Sequence, residues 1–264
     1  MKVVHGIDSL DPSIGRMFVV VGVFDGLHLG HHYLLDELRR AAAAHSAKPV
    51  VITFDHHPDE ILTGAAPPLL CDPEERLARL AAAGVEATVV ATFDVALRMT
   101  PFDEFVRRIA ERVDLAGFLM TPESAFGHDR LGTPETVSEL GRSVGFVVEV
   151  VPPFLVDGRP VSSGEIRRAI AEGRLADAER LLGRPYAVTG TVAEGGSVQF
   201  AMPVALPPRG TYSVLMTSAD GRSGAASDGW LDLEPDGNLH VHGSGLRVNG
   251  TDRMRIVFTD LSAA

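Results

Sequence analysis

The sequence predicts an α/β domain with a doubly wound parallel sheet, followed by a small antiparallel β-barrel domain. Three observations predict this fold class. Apolar strands alternate with amphipathic helices along the first part of the chain, Gly183-Arg184-Pro185 stops the last helical pattern, and short strands separated by Gly, Pro and Asp turns follow. We therefore predict two domains, spanning residues 1–185 and 186–264.

The first strong element is the apolar run Met17–Phe24, whose β-branched residues are typical of a buried parallel strand. It ends in the turn Asp25-Gly26. From Leu29 to Ala44, apolar residues recur at helical spacing with charged residues between them, which predicts an amphipathic helix. A strand, a tight turn and a helix therefore open the first domain.

The same alternation continues through the first domain. The further predicted strands are Pro49–Phe54, Ala87–Phe93, Ala116–Met120 and Phe146–Val151. The further predicted helices are Glu74–Ala83, Pro101–Val113, Thr133–Val144, Gly164–Glu172 and Leu175–Leu182. Since helices connect successive strands, we expect the strands to run parallel with helices on both faces of the sheet.

The remainder of the chain has a different pattern. Its strand-like segments are short and are separated by turn residues; they are Tyr186–Val192, Ser197–Val204, Thr211–Met216, Trp230–Leu233, Leu239–His242 and Met254–Phe258. Strands joined by short turns pair in antiparallel fashion, and a closed barrel leaves no edge exposed.

The charge of the chain narrows the classes of partner. The 264 residues carry a formal net charge of −11, and no run is rich in Lys or Arg, so the protein would repel a phosphate backbone. We expect no nucleic-acid partner. A small anionic ligand is still compatible with this charge, because a few backbone N–H groups and a cation suffice to bind it.

Cys71 is the only cysteine, which excludes a disulfide framework and fits a reducing compartment. Residues 1–10 lack the apolar core of a signal peptide, and no stretch approaches about 18 consecutive apolar residues. We expect a cytoplasmic protein with small-molecule substrates and no membrane contact. The sequence leaves the oligomeric state open.

The turn between the first strand and its helix has the character of a phosphate site. It reads Gly22-Val23-Phe24-Asp25-Gly26-Leu27-His28-Leu29-Gly30-His31. The glycines let the backbone approach a ligand, and we expect free N–H groups at the helix start to face it. His28 and His31 can lie on the same side of the first helical turn, where two imidazoles could share one triphosphate.

Other interpretations of this turn remain. It is neither the Gly-x-Gly-x-x-Gly dinucleotide fingerprint nor a P-loop ending in Gly-Lys-Ser/Thr. The two histidines could be ordinary surface residues, although the strand, the glycines and the helix together favour a ligand. A zinc site is less favoured, because the chain lacks a His-Glu-x-x-His helix and a second cysteine; its candidate ligands are His28, His31, His32, His56 and His57.

Two further segments have both a structural and a functional interpretation. Ser162 and Glu165 could form a capping box at a helix start, and Arg167 one turn later could bind the outer phosphates of a nucleotide. Asp55-His56-His57-Pro58 could be a simple turn that ends a strand. Its place at a carboxyl strand end favours a ligand contact.

These segments together resemble a known family. Gly22 to His31 resembles the His-x-Gly-His signature of the nucleotidyltransferase superfamily, in the form found in bacterial FAD synthetases, the adenylyltransferase half of bifunctional riboflavin kinase/FMN adenylyltransferases. Thr53–Pro58 is similar to that family's Thr-Phe-Asp-Pro-His-Pro, with His56 in place of proline. Val161–Arg167 resembles its Ile-Ser-Ser-Thr-x-Ile-Arg, with Gly164 in place of threonine.

The resemblance implies a nucleotidyltransferase-type Rossmann domain that uses ATP, FMN and Mg²⁺. It implies catalytic roles for His28, His31 and Arg167. The residues it implies for nucleotide binding are Gly22, Val23, Phe24, Asp25, Gly26, Gly30, Ser162 and Ser163. The residues it implies for the acceptor are Phe54, Asp55, His57, Pro58, Glu123 and Phe126. The resemblance identifies no metal ligand in this chain.

The chain departs from the family pattern at two places. Thr121–Gly127 aligns with the flavin-side loop Gly-x-Asp-Phe-x-Phe-Gly but loses the first aromatic residue. The second domain resembles a riboflavin kinase barrel, yet Val204 and Leu206 replace a hydroxyl and an amide, and Leu239–His242 carries histidines instead of a glutamate. We therefore predict a degenerate kinase domain without riboflavin kinase activity.

The sequence predicts FMN adenylyltransferase activity and leaves two alternatives. The chain could act on another phosphorylated small molecule, or it could be a non-catalytic flavin- or nucleotide-binding protein. The choice between ATP and CTP is also open from sequence.

Overall fold

The computed structural model describes residues 1–219, 226–234, 238–243 and 252–259. By their contacts, the residues form two compact units. One comprises Met1–Pro67 and Pro73–Pro160, and the other comprises Pro68–Asp72 and the described residues from Val161 onward. Residues 161–185 therefore share their contacts with the second unit, while the functional domain boundary after residue 185 stays a prediction.

The first unit contains a six-stranded parallel sheet. Its strands are β1 (Lys2–His5), β2 (Met17–Val21), β3 (Lys48–Phe54), β4 (Ala87–Ala91), β5 (Leu115–Met120) and β6 (Val147–Val150). They lie in the order β1-β4-β3-β2-β5-β6, and each pairing is parallel. The direction of winding reverses between β2 and β5, so the carboxyl ends of these strands form the switch point at which such sheets bind ligands.

Helices connect the strands of this sheet. They are α1 (Leu29–Ala44), α2 (Pro58–Thr63), α3 (Pro73–Ala82), α4 (Val95–Met99), α5 (Phe102–Ala110) and α6 (Pro134–Val144). A two-stranded hairpin follows, formed by β7 (Leu155–Val156) and β8 (Arg159–Pro160). The sequence pattern does not predict β1, α2, α4 or this hairpin, because elements of two to six residues are too short to show a period.

The sheet separates two apolar cores, which confirms the doubly wound arrangement. Val19, Ile52 and Val89 pack on one face with residues of α5 and α6. Phe18 and Val20 point to the other face and pack with residues of α1 and α3. Adjacent residues of β2 thus enter opposite cores, as expected for a strand buried on both faces.

The second unit contains two helices and an antiparallel barrel. The helices are α7 (Ser163–Ala171) and α8 (Leu175–Leu182), and the strands are β9 (Ala187–Val192), β10 (Val198–Gln199), β11 (Gly210–Ser218), β12 (Ser227–Leu233), β13 (Leu239–Gly243) and β14 (Asp252–Phe258). Their order is β10-β9-β14-β11-β12-β13. Ser197 pairs with His240, and Val241 N donates to Gly196 O at 2.8 Å, so the two edges meet and nearly close the barrel.

Several predicted strands were too long, and two of them show the physical reason. The first strand ends at Val21 instead of Phe24, because Phe24 adopts a left-handed φ of 54° that no strand accepts. The segment Ser197–Val204 forms a strand only at Val198–Gln199. Pro203 has no N–H group to donate to a ladder, and the chain leaves the sheet before it; Val204 pairs instead with Leu69.

Candidate active site

The turn after β2 has a strained, left-handed backbone. Phe24, Gly26 and Leu27 have φ values of 54°, 76° and 36°. For Phe and Leu this conformation costs free energy, and the burial of both side chains, 1% and 0% exposed, holds it in place. The turn brings the chain from the carboxyl end of β2 directly to the first residue of α1, and such concentrated strain is typical of ligand-binding turns.

His28 and His31 meet at the start of α1, as the sequence predicted. His28 is the N-cap, and its Nδ1 accepts a hydrogen bond from His31 N at 3.3 Å. The two imidazoles stack with centroids 3.7 Å apart, and the Phe24 ring lies 5.0 Å from the His31 ring. Because Nδ1 accepts, the proton of neutral His28 lies on Nε2, which makes that atom a donor suited to a phosphate oxygen.

This cap uses one of the N–H groups at the helix start, since the His31 N–H donates to the His28 side chain. N-caps of this kind satisfy one of the N–H groups that a helix start leaves without an intrahelical acceptor. That the remaining N–H groups of the helix start face a ligand stays a prediction.

Arg76 connects the ends of β2 and β3. Its guanidinium donates from Nη1 to Val23 O at 3.2 Å and from Nη2 to Phe54 O at 2.7 Å, and Thr53 Oγ1 also donates to Val23 O at 3.0 Å. Arg76 is only 7% exposed. No motif in the sequence assigns Arg76 a role, although its place on the apolar face of α3, one turn before buried Leu80, is a signal.

A cavity of about 660 Å³ opens at the carboxyl ends of the strands. Its wall is mostly apolar and contains five phenylalanines, Phe54, Phe93, Phe105, Phe118 and Phe126. Polar groups at the wall include His57, Glu123 and Arg130. A concave aromatic pocket with few polar groups, placed at a switch point, suits a flat organic ligand.

The cavity collects five of the six residues predicted for the acceptor. Phe54, His57, Pro58, Glu123 and Phe126 belong to its wall, and so do Gly22 and Val23 of the predicted nucleotide turn. The cavity therefore borders both predicted groups of ligand-binding residues. Their binding roles stay predictions.

Asp55, the sixth predicted acceptor residue, is not part of the cavity wall but binds the backbone of the wall residue Phe93. Its Oδ1 accepts from Phe93 N at 3.1 Å and from His56 N at 2.8 Å. Burial raises the pKa of this carboxyl, but hydrogen bonds from the Thr92 side chain, Phe93 N and His56 outweigh burial, so the pKa lies below its ordinary value. The carboxylate holds Phe93, whose ring packs edge-on against Phe54 at 5.2 Å.

His57 is fixed in the same way as His28. It is the N-cap of α2, and its Nδ1 accepts from Asp59 N at 3.2 Å. Its side chain is only 12% exposed. A histidine at this N-cap directs its ring with little freedom, as a ligand contact requires.

The loop after β5 forms the remaining wall. Phe126 and Gly132 pair through two backbone hydrogen bonds of 3.3 and 3.0 Å, and the Phe126 ring lies 5.4 Å from Phe105. Ser124 stands where the resemblance expects an aromatic residue. Its hydroxyl accepts from Thr121 N at 2.9 Å, so the side chain folds back onto the loop.

The remaining predicted site residues belong to the second unit. Ser162 is the N-cap of α7, and its Oγ accepts from Glu165 N at 3.2 Å, which is the Ser162 bond of the capping box that the sequence suggested. Ser163 is the first residue of that helix. Arg167 lies one turn in, and its Nε donates to Pro68 O at 2.7 Å. Their phosphate contacts stay predictions.

In the parts of the chain that the structure describes, no group of three or more His, Cys, Asp or Glu residues has the arrangement to hold a metal ion. Over the same ranges, the helices are too short or too polar to span a bilayer.

Comparison with known proteins identifies the family. The sequence model of FAD synthetases matches residues 11–165. The bifunctional riboflavin kinase/FMN adenylyltransferase of Pseudomonas fluorescens is 31% identical over 255 residues, which cover 91% of this chain and 82% of that protein. The enzyme of the same name from Escherichia coli K12 is 31% identical over 199 residues, 74% of this chain.

The shorter alignments leave part of the relatives unmatched. They cover 65% of the Haemophilus influenzae protein and 63% of the Escherichia coli protein, in each case less than two thirds of its length. A solved structure from Streptococcus pneumoniae, described as a macrolide-efflux protein, matches 98% of this chain with a TM-score of 0.82 and 22% identity, covering 90% of that protein. This likeness shows the fold alone. The family match over most of the first 165 residues and the identity to the Pseudomonas protein show that the chain belongs to the FAD synthetase family.

Proposed function

We propose that this protein transfers the adenylyl group of ATP to FMN, giving FAD and pyrophosphate. One observation carries the proposal. The aromatic cavity that suits an isoalloxazine ring is walled partly by Gly22 and Val23, which begin the turn to His28 and His31. An acceptor in that cavity therefore lies beside the residues that we assign to the triphosphate. The names of the related enzymes support the same reaction.

The proposed chemistry is an in-line displacement. A phosphate oxygen of FMN forms a bond to the α-phosphorus of ATP, and the bond from this phosphorus to the α,β-bridging oxygen breaks and releases pyrophosphate. The protein positions the two phosphates and neutralises charge that develops between them. Because His28 has its proton on Nε2, it can donate to a triphosphate oxygen, and stacked His31 offers a second imidazole.

The other proposed contacts follow the family pattern. We assign the outer phosphates to Ser162, Ser163 and Arg167, and the flavin to the wall residues Phe54, His57, Pro58, Glu123 and Phe126. Magnesium accompanies nucleoside triphosphates in such reactions. Among the described residues, no group of three or more His, Cys, Asp or Glu side chains has the arrangement to hold a metal ion. The single cysteine fits a reducing cytoplasm as the place of reaction.

The test is product formation by the purified protein. With ATP, FMN and magnesium we expect FAD by chromatography and pyrophosphate in equal amount. Parallel reactions with CTP identify the nucleotide. Absence of FAD while another phosphorylated acceptor is adenylylated would reject FMN as the acceptor, and absence of turnover with any acceptor would reject an enzymatic role.

We also propose that the barrel does not phosphorylate riboflavin. Val204 and Leu206 stand where the resemblance expects a hydroxyl and an amide, and aliphatic side chains cannot coordinate an ion. A carboxylate, Asp232, does lie beside His242, with Oδ2 3.1 Å from Nε2, but it also accepts from Thr211 Oγ1. Incubation with riboflavin and ATP should give no FMN, and formation of FMN would contradict this proposal.

A second candidate function rests on Ser124. The loss of the aromatic side chain at this place in the cavity wall changes the surface that a flavin ring would meet. A different phosphorylated aromatic compound is therefore the alternative acceptor. Competition tests this alternative, because FMN should displace a fluorescent flavin from the cavity at micromolar concentration if FMN is the acceptor, and failure to displace it would favour the other compound.

A further inference from the structure

The segment Pro68–Asp72 is fastened to the barrel. Three successive side chains, Leu69, Leu70 and Cys71, are 7%, 2% and 5% exposed. Asp72 pairs with Arg253 of β14, with Oδ2 and Nη2 3.3 Å apart. The segment belongs by its contacts to the second unit, although α2 before it and α3 after it belong to the first. It therefore depends on the second unit for its conformation.

Backbone hydrogen bonds fix the segment at Leu69. Leu69 N donates to Pro203 O, and Ala205 N donates to Leu69 O, both at 2.9 Å. Ala205 is held in turn, since its carbonyl accepts from the Tyr186 hydroxyl at 2.6 Å. Tyr186 is 2% exposed, and its ring stacks on Phe258 of β14 at 5.7 Å. A chain of contacts thus runs from the barrel core to Leu69.

The same chain of contacts reaches Arg167. Its Nε donates to the carbonyl of Pro68, which directly precedes Leu69, at 2.7 Å. The guanidinium is planar, so a bond at Nε also sets the plane in which the two Nη groups lie. A shift of Leu69 would move the Pro68 carbonyl and with it this plane.

We propose that the barrel is a positioning element for Arg167, acting through Tyr186, Ala205, Leu69 and the Pro68 carbonyl. The inference rests on the proposed phosphate contact of Arg167. This positioning role also involves the segment Ala201–Leu206. Its side chains offer no oxygen to coordinate an ion, but its backbone groups at Pro203 and Ala205 hold Leu69. Tyr186 is the positioning residue in this chain of contacts that a side-chain substitution can test.

Two matched variants test the proposal. Tyr186→Phe removes only the hydroxyl that binds Ala205 O. Tyr212→Phe is the control, because its hydroxyl also donates to a backbone carbonyl at 2.6 Å, that of Pro208, and its ring also contacts Phe258, at 5.6 Å. We expect Tyr186→Phe to raise the dissociation constant for ATP by roughly 10-fold and to leave FMN binding unchanged. Tyr212→Phe should change ATP binding by less than about 2-fold. Equal losses of ATP affinity in both variants would reject the proposal.

A double-mutant cycle shows whether the effect passes through Arg167. Calorimetric ATP binding is measured for Tyr186→Phe, Arg167→Ala and the double variant. If Tyr186 acts through Arg167, the double variant binds ATP as Arg167→Ala does, within about 2-fold, whereas multiplied losses would overturn the inference. This readout needs no turnover. Failure to form FAD would therefore count against the proposed function only. Losses of ATP affinity that multiply in the double variant would count against the positioning role only.

Discussion

At the scale of single residues, the candidate site depends on histidines held by their own hydrogen bonds. His28 and His57 both cap helices through Nδ1, and the His28 ring stacks on His31. Locked rings lose little freedom when a ligand binds, which is what transition-state stabilisation requires. The spacing of His28 and His31 was readable from the sequence, whereas the cap bonds and the stack required the structure.

We expect His31→Ala to reduce the rate of FAD formation by about 100- to 1,000-fold, since it removes a proposed contact to the triphosphate. The fold should persist, because the helix keeps its His28 cap residue and its apolar face. His45→Ala is the matched control at the opposite end of α1, where His45 pairs with Glu149 at 2.8 Å. Steady-state rates and thermal unfolding of both variants check this. Comparable rate losses in the two variants would contradict a special role for His31.

Asp55 should make stability depend on pH. Its pKa in the folded protein lies below the ordinary 3.8, so its carboxylate stabilises the fold above that value, and this contribution is lost as pH falls through the folded pKa. We expect Asp55→Asn to lower the free energy of unfolding by about 1–2 kcal/mol at neutral pH. The difference from wild type should shrink below about pH 4. Urea denaturation across this range measures it, and a difference independent of pH would refute the assignment.

At the scale of elements, α3 supports the site through one side chain. Arg76 joins the carboxyl ends of β2 and β3 at Val23 O and Phe54 O, and both of these residues line the cavity. Periodicity could predict the helix and its apolar face. It could not predict which carbonyls a buried guanidinium would reach, because these belong to segments about 20 and 50 residues earlier in the chain.

We expect Arg76→Met to lower the free energy of unfolding by about 1–3 kcal/mol, because the two carbonyls lose buried donors. The KM for FMN should rise as the cavity wall shifts. Arg79→Met on the same helix breaks a part-buried pair with Glu75 and should also lower the free energy of unfolding, but without a change in KM. Denaturant unfolding and steady-state kinetics give both quantities. An unchanged KM in Arg76→Met would show that Arg76 contributes to stability and not to FMN binding.

At the scale of the whole molecule, the first domain keeps the family's motifs more fully than the barrel does. The match over residues 11–165 covers the motifs that begin at Gly22 and at Thr53, and it ends two residues before Arg167 of the third motif. The barrel keeps the strand pattern, while Val204 and Leu206 depart from the family's polar residues. The loss of kinase activity stays a prediction, and the contacts of Leu69 with Pro203 and Ala205 provide a different use for that segment.

The sequence by itself determined the alternation of strands and helices, the helix Leu29–Ala44, the paired histidines and the family. Each of these features depends on residues that are close together along the chain, where spacing decides which side chains share a face. Only the tertiary structure decided the cavity wall, the bonds of Arg76 and Arg167 and the early end of the strand before Pro203. These depend on contacts between distant segments, and local periodicity contains no information about which distant segments meet.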